Sequence, residues 1–226
     1  MKLYSLLAGI AVMGLLAGCQ GAPTVKLQAS IGTYSAATTG RAYVLVLRPQ
    51  QHPNSFSINV SGPGGYNETI ILQSSSARSL SGVWWEYSWD ASRALNSGSY
   101  VFSATIDGKT EQVTLNIDAN SVLARPTVTV GASPTTTNVS ASWNHISGAN
   151  AYLVRLVNRS SGSVVARNSV TSNNTAFSNL NLNTTDSYAV EVYAASSNIA
   201  SDPPGIPEQF NMSLGESSSF TVAQAP

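Results

Sequence analysis

From residue 25 onward the chain is built of short runs in which apolar and polar positions alternate. Phe56, Ile58 and Val60 alternate with Ser57 and Asn59, and Tyr100, Phe102, Ala104 and Ile106 alternate with Val101, Ser103 and Thr105. A period of two places the apolar set on one face of a strand. This reading predicts strands over Val25–Ala29, Ala42–Leu47, Phe56–Val60, Thr69–Leu72, Val83–Trp89, Tyr100–Ile106 and Gln112–Ile117. In the second half it predicts Thr127–Val130, Val139–Trp143, Ala151–Val157, Ser163–Arg167, Thr175–Phe177, Tyr188–Tyr193 and Phe220–Val222. Clusters of Gly, Pro, Asn and Ser separate the runs. Asp107-Gly108 predicts a tight hairpin, since both turn positions of a type I′ turn need positive φ. No stretch after the N-terminal segment has the period of an amphipathic helix. Asp118 to Arg125 has no periodicity and runs into Pro126. The expected fold is therefore all-β, with two tandem β-sandwiches at 25–118 and 127–224 and a linker at 119–126.

The N-terminus has a different pattern. Met1-Lys2 is followed by an apolar run from Leu3 to Ala17, shorter than the roughly 20 residues of a permanent transmembrane helix. Its length is that of a signal-peptide core, so residues 1–18 are read as a signal peptide. Leu16-Ala17-Gly18-Cys19 resembles the lipobox of bacterial lipoproteins. The resemblance implies cleavage between Gly18 and Cys19 and a lipid on Cys19, with residues 19–24 as a lipidated tether. Two or three acyl chains anchor more firmly than one. By the same analogy Gln20, rather than Asp, after the cysteine implies the outer membrane where the organism has one. The alternative is an ordinary secretory signal with an incidental cysteine.

Two further resemblances concern the sandwiches. Leu95-Asn96-Ser97-Gly98-Ser99-Tyr100 resembles the approach to the sixth strand of immunoglobulin-like domains, where a tyrosine hydroxyl bonds back to the backbone. Val139-Ser140-Ala141-Ser142-Trp143, followed by Ser147 to Val154, resembles the second and third strands of a fibronectin type III domain. Leu182 to Tyr188 has the Leu-to-Tyr spacing of that family's tyrosine corner, without the usual Pro and Gly between them. The second core is expected to hold Trp143, Tyr152, Val154, Leu156, Leu182, Tyr188, Val190 and Val192.

Composition narrows the function. The 226 residues carry 11 Lys and Arg against 11 Asp and Glu, for a net charge of zero. Ser, Thr and Asn make up nearly a third of the chain. Such a surface does not neutralise phosphates, which excludes electrostatic nucleic-acid binding. One cysteine excludes a disulfide framework and a cysteine-based zinc site. His52 and His145 lie in loops without an acid or histidine at metal spacing. Gly108-Lys109-Thr110 has Ser103 where a phosphate loop needs glycine. The acids are scattered singly, so no carboxylate pair is expected. Asp118-Ala119-Asn120 reads as polar linker more readily than as a calcium ligand set. The Asn-x-Ser/Thr matches at Asn59, Asn67, Asn138, Asn158, Asn173, Asn183 and Asn211 read as by-products of this composition. No catalytic residue, metal or cofactor is expected.

Two features exceed the needs of a plain sandwich. In Val83 to Trp89, Trp85, Tyr87 and Trp89 share one face and Trp84, Glu86 and Ser88 the other. If the first face is core, Trp84 stands outside beside Glu86 as a stacking platform. The alternative has Trp84 packed under a loop or the second domain. The segment Ala195–Ser217 is long for a compact domain. Its candidate contacts are Asp202, Pro203, Pro204, Ile206, Phe210 and Met212, with Phe210–Leu214 able to form an edge strand. The expected function is a non-catalytic, lipid-anchored lipoprotein of the bacterial cell envelope that binds a protein partner. A polysaccharide-binding lipoprotein is the alternative, and a cryptic hydrolase a second.

Overall fold

The computed structural model describes residues 26–48, 55–73, 78–80, 83–106, 108–198 and 206–225, with backbone alone for 48, 55, 73, 78–80, 83, 84 and 106. Gly18, Cys19, His52 and the tether lie outside the described residues.

The first sandwich comprises β1 (Lys26–Ser35), β2 (Thr39–Arg48), β3 (Ser55–Gly62), β4 (Tyr66–Gln73), β5 (Arg78–Leu80), β6 (Val83–Asp90), β7 (Gly98–Ile106) and β8 (Lys109–Ile117). The second comprises β9 (Val128–Val130), β10 (Val139–Trp143), β11 (Ala151–Asn158), β12 (Ser163–Val170), β13 (Asn174–Phe177), β14 (Tyr188–Ala195) and β15 (Met212–Glu216). Strands β4-β3-β7-β8 form one sheet and β13-β10-β9 another. The remaining strands form a single eight-stranded sheet in the order β12-β11-β14-β15-β1-β2-β6-β5. That sheet belongs to both halves of the chain. β1 pairs parallel with β15, Tyr34 with Met212 and Ser35 with Ser213.

Three cores result. Between the sheets of the first sandwich, Ile31, Tyr43, Leu45 and Leu47 meet Ile58, Val60, Leu72, Tyr100 and Phe102. The second core contains Trp143, Tyr152, Val154, Leu156, Leu182, Tyr188, Val190 and Val192, as expected from the sequence. The third joins Tyr34, Ala42 and Val44 of the first half to Ala151, Leu153, Tyr193, Ala195, Phe210 and Met212 of the second. The middle strands of the eight-stranded sheet are thus covered on both faces. In β2, Ala42, Val44 and Val46 are as buried as Tyr43, Leu45 and Leu47.

Both tyrosine hydroxyls close their turns. The Tyr100 hydroxyl accepts from Asn96 N and donates to Asn96 O, each at 3.0 Å. The Tyr188 hydroxyl accepts from Asn183 N at 2.8 Å and donates to Asn183 O at 3.2 Å. The second corner forms although Pro and Gly are missing from its loop. Gly108, at φ 74°, turns β7 into β8, with Ile106 paired to Lys109.

Candidate interaction surface at the seam between the sandwiches

The seam depends on close backbone approach. A Cβ on Gly32 would stand 2.2 Å from Phe210 O and 2.5 Å from Asn211 Oδ1. Glycine therefore lets β1 run against residues 209–213. Ile31 bridges Gln209 in parallel, and Thr33 N donates to Asn211 Oδ1 at 2.9 Å. Side chains then sew the 118–126 segment to the seam. Thr33 Oγ1 donates to Ser121 O at 2.7 Å, Ser213 Oγ to Ala124 O at 2.7 Å, and Gln209 Nε2 to Asp118 O at 2.9 Å. Leu123 is buried in the second core. Asp118 Oδ1 accepts from Asn120 N at 2.9 Å, which uses this carboxylate to cap a local turn.

Aromatic side chains line the same face of the sheet. Trp89 of β6 lies 4.7 Å from Tyr193 of β14 and 6.4 Å from Tyr34 of β1, centroid to centroid. Tyr87 stacks on Trp89 at 5.9 Å with 22° between planes. The Arg155 guanidinium sits 4.6 Å from the centre of the Tyr193 ring and 6.0 Å from that of Trp89. Its Nη2 donates to Glu191 Oε2 at 2.6 Å, and Arg159 pairs with both Glu191 and Glu216. Burial, then the Glu191 charge, raise the Tyr193 and Tyr34 hydroxyls above the ordinary tyrosine range. Tyr87 and Trp89 remain half-buried, leaving an aromatic step beside Arg155.

The predicted contact residues fall in different places. Phe210 and Met212 have no exposure, so they form the seam core and offer nothing to an outside partner. Met212 begins β15, the strand that joins the halves, and Phe210 lies two residues before it. Ile206 is half-buried against the same core. Asp202, Pro203 and Pro204 lie outside the described residues. In β6 the two faces are turned to different cores. Glu86 pairs with Leu45 and Ser88 with Tyr43, so their face is that of the first sandwich's core. Trp85, Tyr87 and Trp89 pair with Val46, Val44 and Ala42 and lie on the opposite face. Tyr87 and Trp89 there pack against the third core, across from the second half. Trp84 is in register with Leu47, and its side chain lies outside the described residues. Burial raises the Glu86 carboxyl above the usual glutamate range, against an opposing pull from Arg41. Tyr34, Arg155 and Tyr193 escaped sequence reasoning. The signal available for Tyr193 was the run through β14, apolar except for Glu191 and buried at every position.

On the other face of β2, the first sandwich holds a buried ion pair. Arg41 Nε donates to Glu68 Oε2 at 3.0 Å, a second guanidinium nitrogen bonds Glu68 Oε1, and Tyr66 donates to the same carboxylate. Their side chains are 5% and 9% exposed. Burial alone would raise the Glu68 carboxyl, but the hydrogen bonds from Arg41 and Tyr66 hold it below the usual range. Among the described residues no group of three or more His, Cys, Asp or Glu side chains is placed to hold a metal ion.

No family model matches the chain, and no curated protein matches it. Among solved structures, it is similar to the FN1-FN3 domains of chicken CNTN1, at 16% identity and a TM-score of 0.36, over 87% of this chain and 64% of that one. It thus spans just under two-thirds of that fragment. Domains A168-A170 of titin give 13% identity and a TM-score of 0.34, over 87% and 67%. A two-domain fibronectin type III segment of chicken tenascin gives 15% and 0.32, over 85% and 97%. The described residues themselves form an all-β fold of two tandem β-sandwiches.

Proposed function

We propose that the chain is a non-catalytic lipoprotein of the bacterial cell envelope, anchored through Cys19, that presents its two sandwiches as one rigid body to a protein partner. The observation that supports this reading is the shared eight-stranded sheet with its third core. Tandem domains joined by a small polar interface move relative to one another by default. Here a strand pairing and a buried apolar layer oppose that motion. A rigid body on a short tether holds a partner at a fixed distance from the lipid surface, in the outer membrane where the cell has one. Gentle detergent extraction of the full chain is expected to yield Cys19 with its added lipid mass and a defined second protein. An unmodified Cys19 thiol refutes the anchor, and recovery as a free monomer refutes the module.

The half-buried Tyr87–Trp89 stack beside Arg155 favours a second reading, a polysaccharide-binding lipoprotein. Aromatic faces bordered by a charged donor suit sugar rings. Loss of cell-wall retention in Trp89→Ala, with the fold retained, supports that reading, and unchanged retention eliminates it.

A further inference from the structure

The second sandwich has a slit along one side where its two sheets part. One wall is β9 and the residues after it. The other is the segment that follows β15. The slit is pinched at both ends. At one end a Cβ on Gly215 would stand 1.9 Å from Pro126 O. At the other, Thr135 bridges Ala223 in parallel, with Ala223 N donating to Pro134 O at 3.0 Å and Thr136 N to Ala223 O at 2.8 Å. Between these ends lie two adjoining grooves of about 500 and 450 Å³ that share Val128 and Ser218.

The main chain of both walls faces inward. Gly131 N donates to Ser140 O at 2.9 Å, and Thr129 pairs with Ser142 in the same register. In an antiparallel ladder alternate residues turn their N–H and C=O groups the other way. The main-chain groups of Val128 and Val130 therefore point away from β10, into the slit. On the opposite wall Phe220 exchanges both main-chain bonds with Tyr188 of β14, at 2.8 and 2.9 Å. Its neighbours Ser219 and Thr221 are turned toward the slit. None of these four residues has a backbone–backbone partner across the slit among the described residues.

We infer that this slit is a docking site for one extended strand of a protein partner, which adds to the free edge of β9 with Ser219–Thr221 as its second wall. The inference rests on the protein-binding reading above and names the partner's chemistry. Main-chain groups spaced as in a sheet edge are matched by another extended backbone. The charges at the slit, Arg125 and Glu216, stand only at its Pro126 end. The rest of the lining is hydroxyl, small or apolar, including Thr129, Ala132, Ser219 and Phe220. An uncharged segment of small and β-branched residues fits that lining, because a charge there would be desolvated without a partner.

The test places a photo-crosslinking residue, p-benzoylphenylalanine, in the full-length lipidated chain. It replaces Ser219 or Thr129, both exposed in the slit, or the distant exposed Ile71 as control. Illumination of intact cells is expected to give adducts at Ser219 and Thr129, but not Ile71, with an uncharged segment of a second envelope protein. Val130→Pro removes one slit-facing N–H that β10 does not use, and is expected to lower the adduct yield by up to about tenfold. Adducts with a second copy of this chain, or a yield untouched by Val130→Pro, overturn the inference. If the unmodified chain co-purifies with a partner and neither slit position crosslinks, the slit fails and the module reading stands. If no partner is found by either route, both fail.

Discussion

Gly32→Ala tests the seam without touching any side chain of the two sandwich cores. The new Cβ would begin 2.2 Å from Phe210 O and 2.5 Å from Asn211 Oδ1. Ordinary carbon–oxygen approach is about 3.3 Å or more, so β1 and the 209–213 strand must separate by roughly 1 Å. Neither obstacle is a flexible side-chain end. Phe210 is fully buried, and Asn211 Oδ1 is held by Thr33 and Gln209. Overpacking of this kind costs about 1–3 kcal/mol, and loss of the Thr33–Asn211 hydrogen bond adds about 1 kcal/mol. The expected total is about 2–4 kcal/mol, confined to the coupling between the halves. Urea unfolding, followed by far-ultraviolet circular dichroism and tryptophan fluorescence, reads it directly. The parent chain is expected to unfold in one transition. Gly32→Ala is expected to show two, each with a smaller slope, because each half then exposes its own surface separately. Phe210→Ala should give the same splitting with a loss of about 3–5 kcal/mol. A single transition at the parent midpoint in Gly32→Ala would refute the rigid two-domain body.

Other consequences follow from the buried polar groups. Tyr100→Phe and Tyr188→Phe each leave a turn N–H and C=O without the hydroxyl, and each is expected to cost about 1–2 kcal/mol in denaturant titration. Arg41→Ala leaves Glu68 buried without its guanidinium and is expected to cost about 3–5 kcal/mol, whereas a simultaneous Glu68→Leu should recover most of it. The two buried glutamates give opposite pH slopes. Glu68, lowered in the fold, stabilises above its unfolded pKa, and this contribution is lost as pH falls through its folded pKa. Glu86, raised in the fold, favours folding fully below its unfolded pKa and loses that contribution as pH rises through its folded pKa. Glu86→Gln is therefore expected to be more stable than the parent at pH 7 and to remove the decline on the alkaline side of the carboxylate range. Equal pH profiles for the two proteins would contradict the burial of this carboxyl.

Much of the fold is legible from alternation alone, because most strands bury one face. Val139–Trp143 alternates strictly and coincides with β10, whose burial alternates in step. The tyrosine corners are legible because Leu95–Tyr100 and Leu182–Tyr188 are local. The seam is not local. The sequence reading ends the first strand at Ala29, before Gly32, since nothing nearby reveals that residues 209–213 will lie against it. The strand instead continues to Ser35. Phe220–Val222 reads as the last strand by its β-branched composition, yet only Phe220 bridges to β14. The strand position is taken by Met212–Glu216, whose pairing with both β14 and β1 overrides the weak propensity of Gly215. The run Ala42–Leu47 did carry a usable signal. An unbroken apolar strand in an otherwise alternating protein is one that needs cover on both faces, and in a tandem of sandwiches the second cover comes from the other domain.

That double cover also limits where a partner strand can bind. With the faces of the central strands buried in the seam, backbone recognition is left to the sheet edges, and most of these are blunted. β12 carries a bulge, because Leu156 pairs with Ala166 and Val157 with Val164, leaving Val165 unpaired. A bulge twists an edge away from further pairing. β5 has only three residues. β4 is longer, but it points Glu68 inward to Arg41, and an inward charge on an edge strand is a device against strand addition. β8 lies beside β1 at the closed side of the first sandwich. β9 is as short as β5 but lacks the other features. It has no bulge, no charge and no covering strand among the described residues, and a second wall stands opposite its free edge. The same seam that removes residues 210–213 from the surface thus concentrates the available main-chain edge in the slit of the second sandwich.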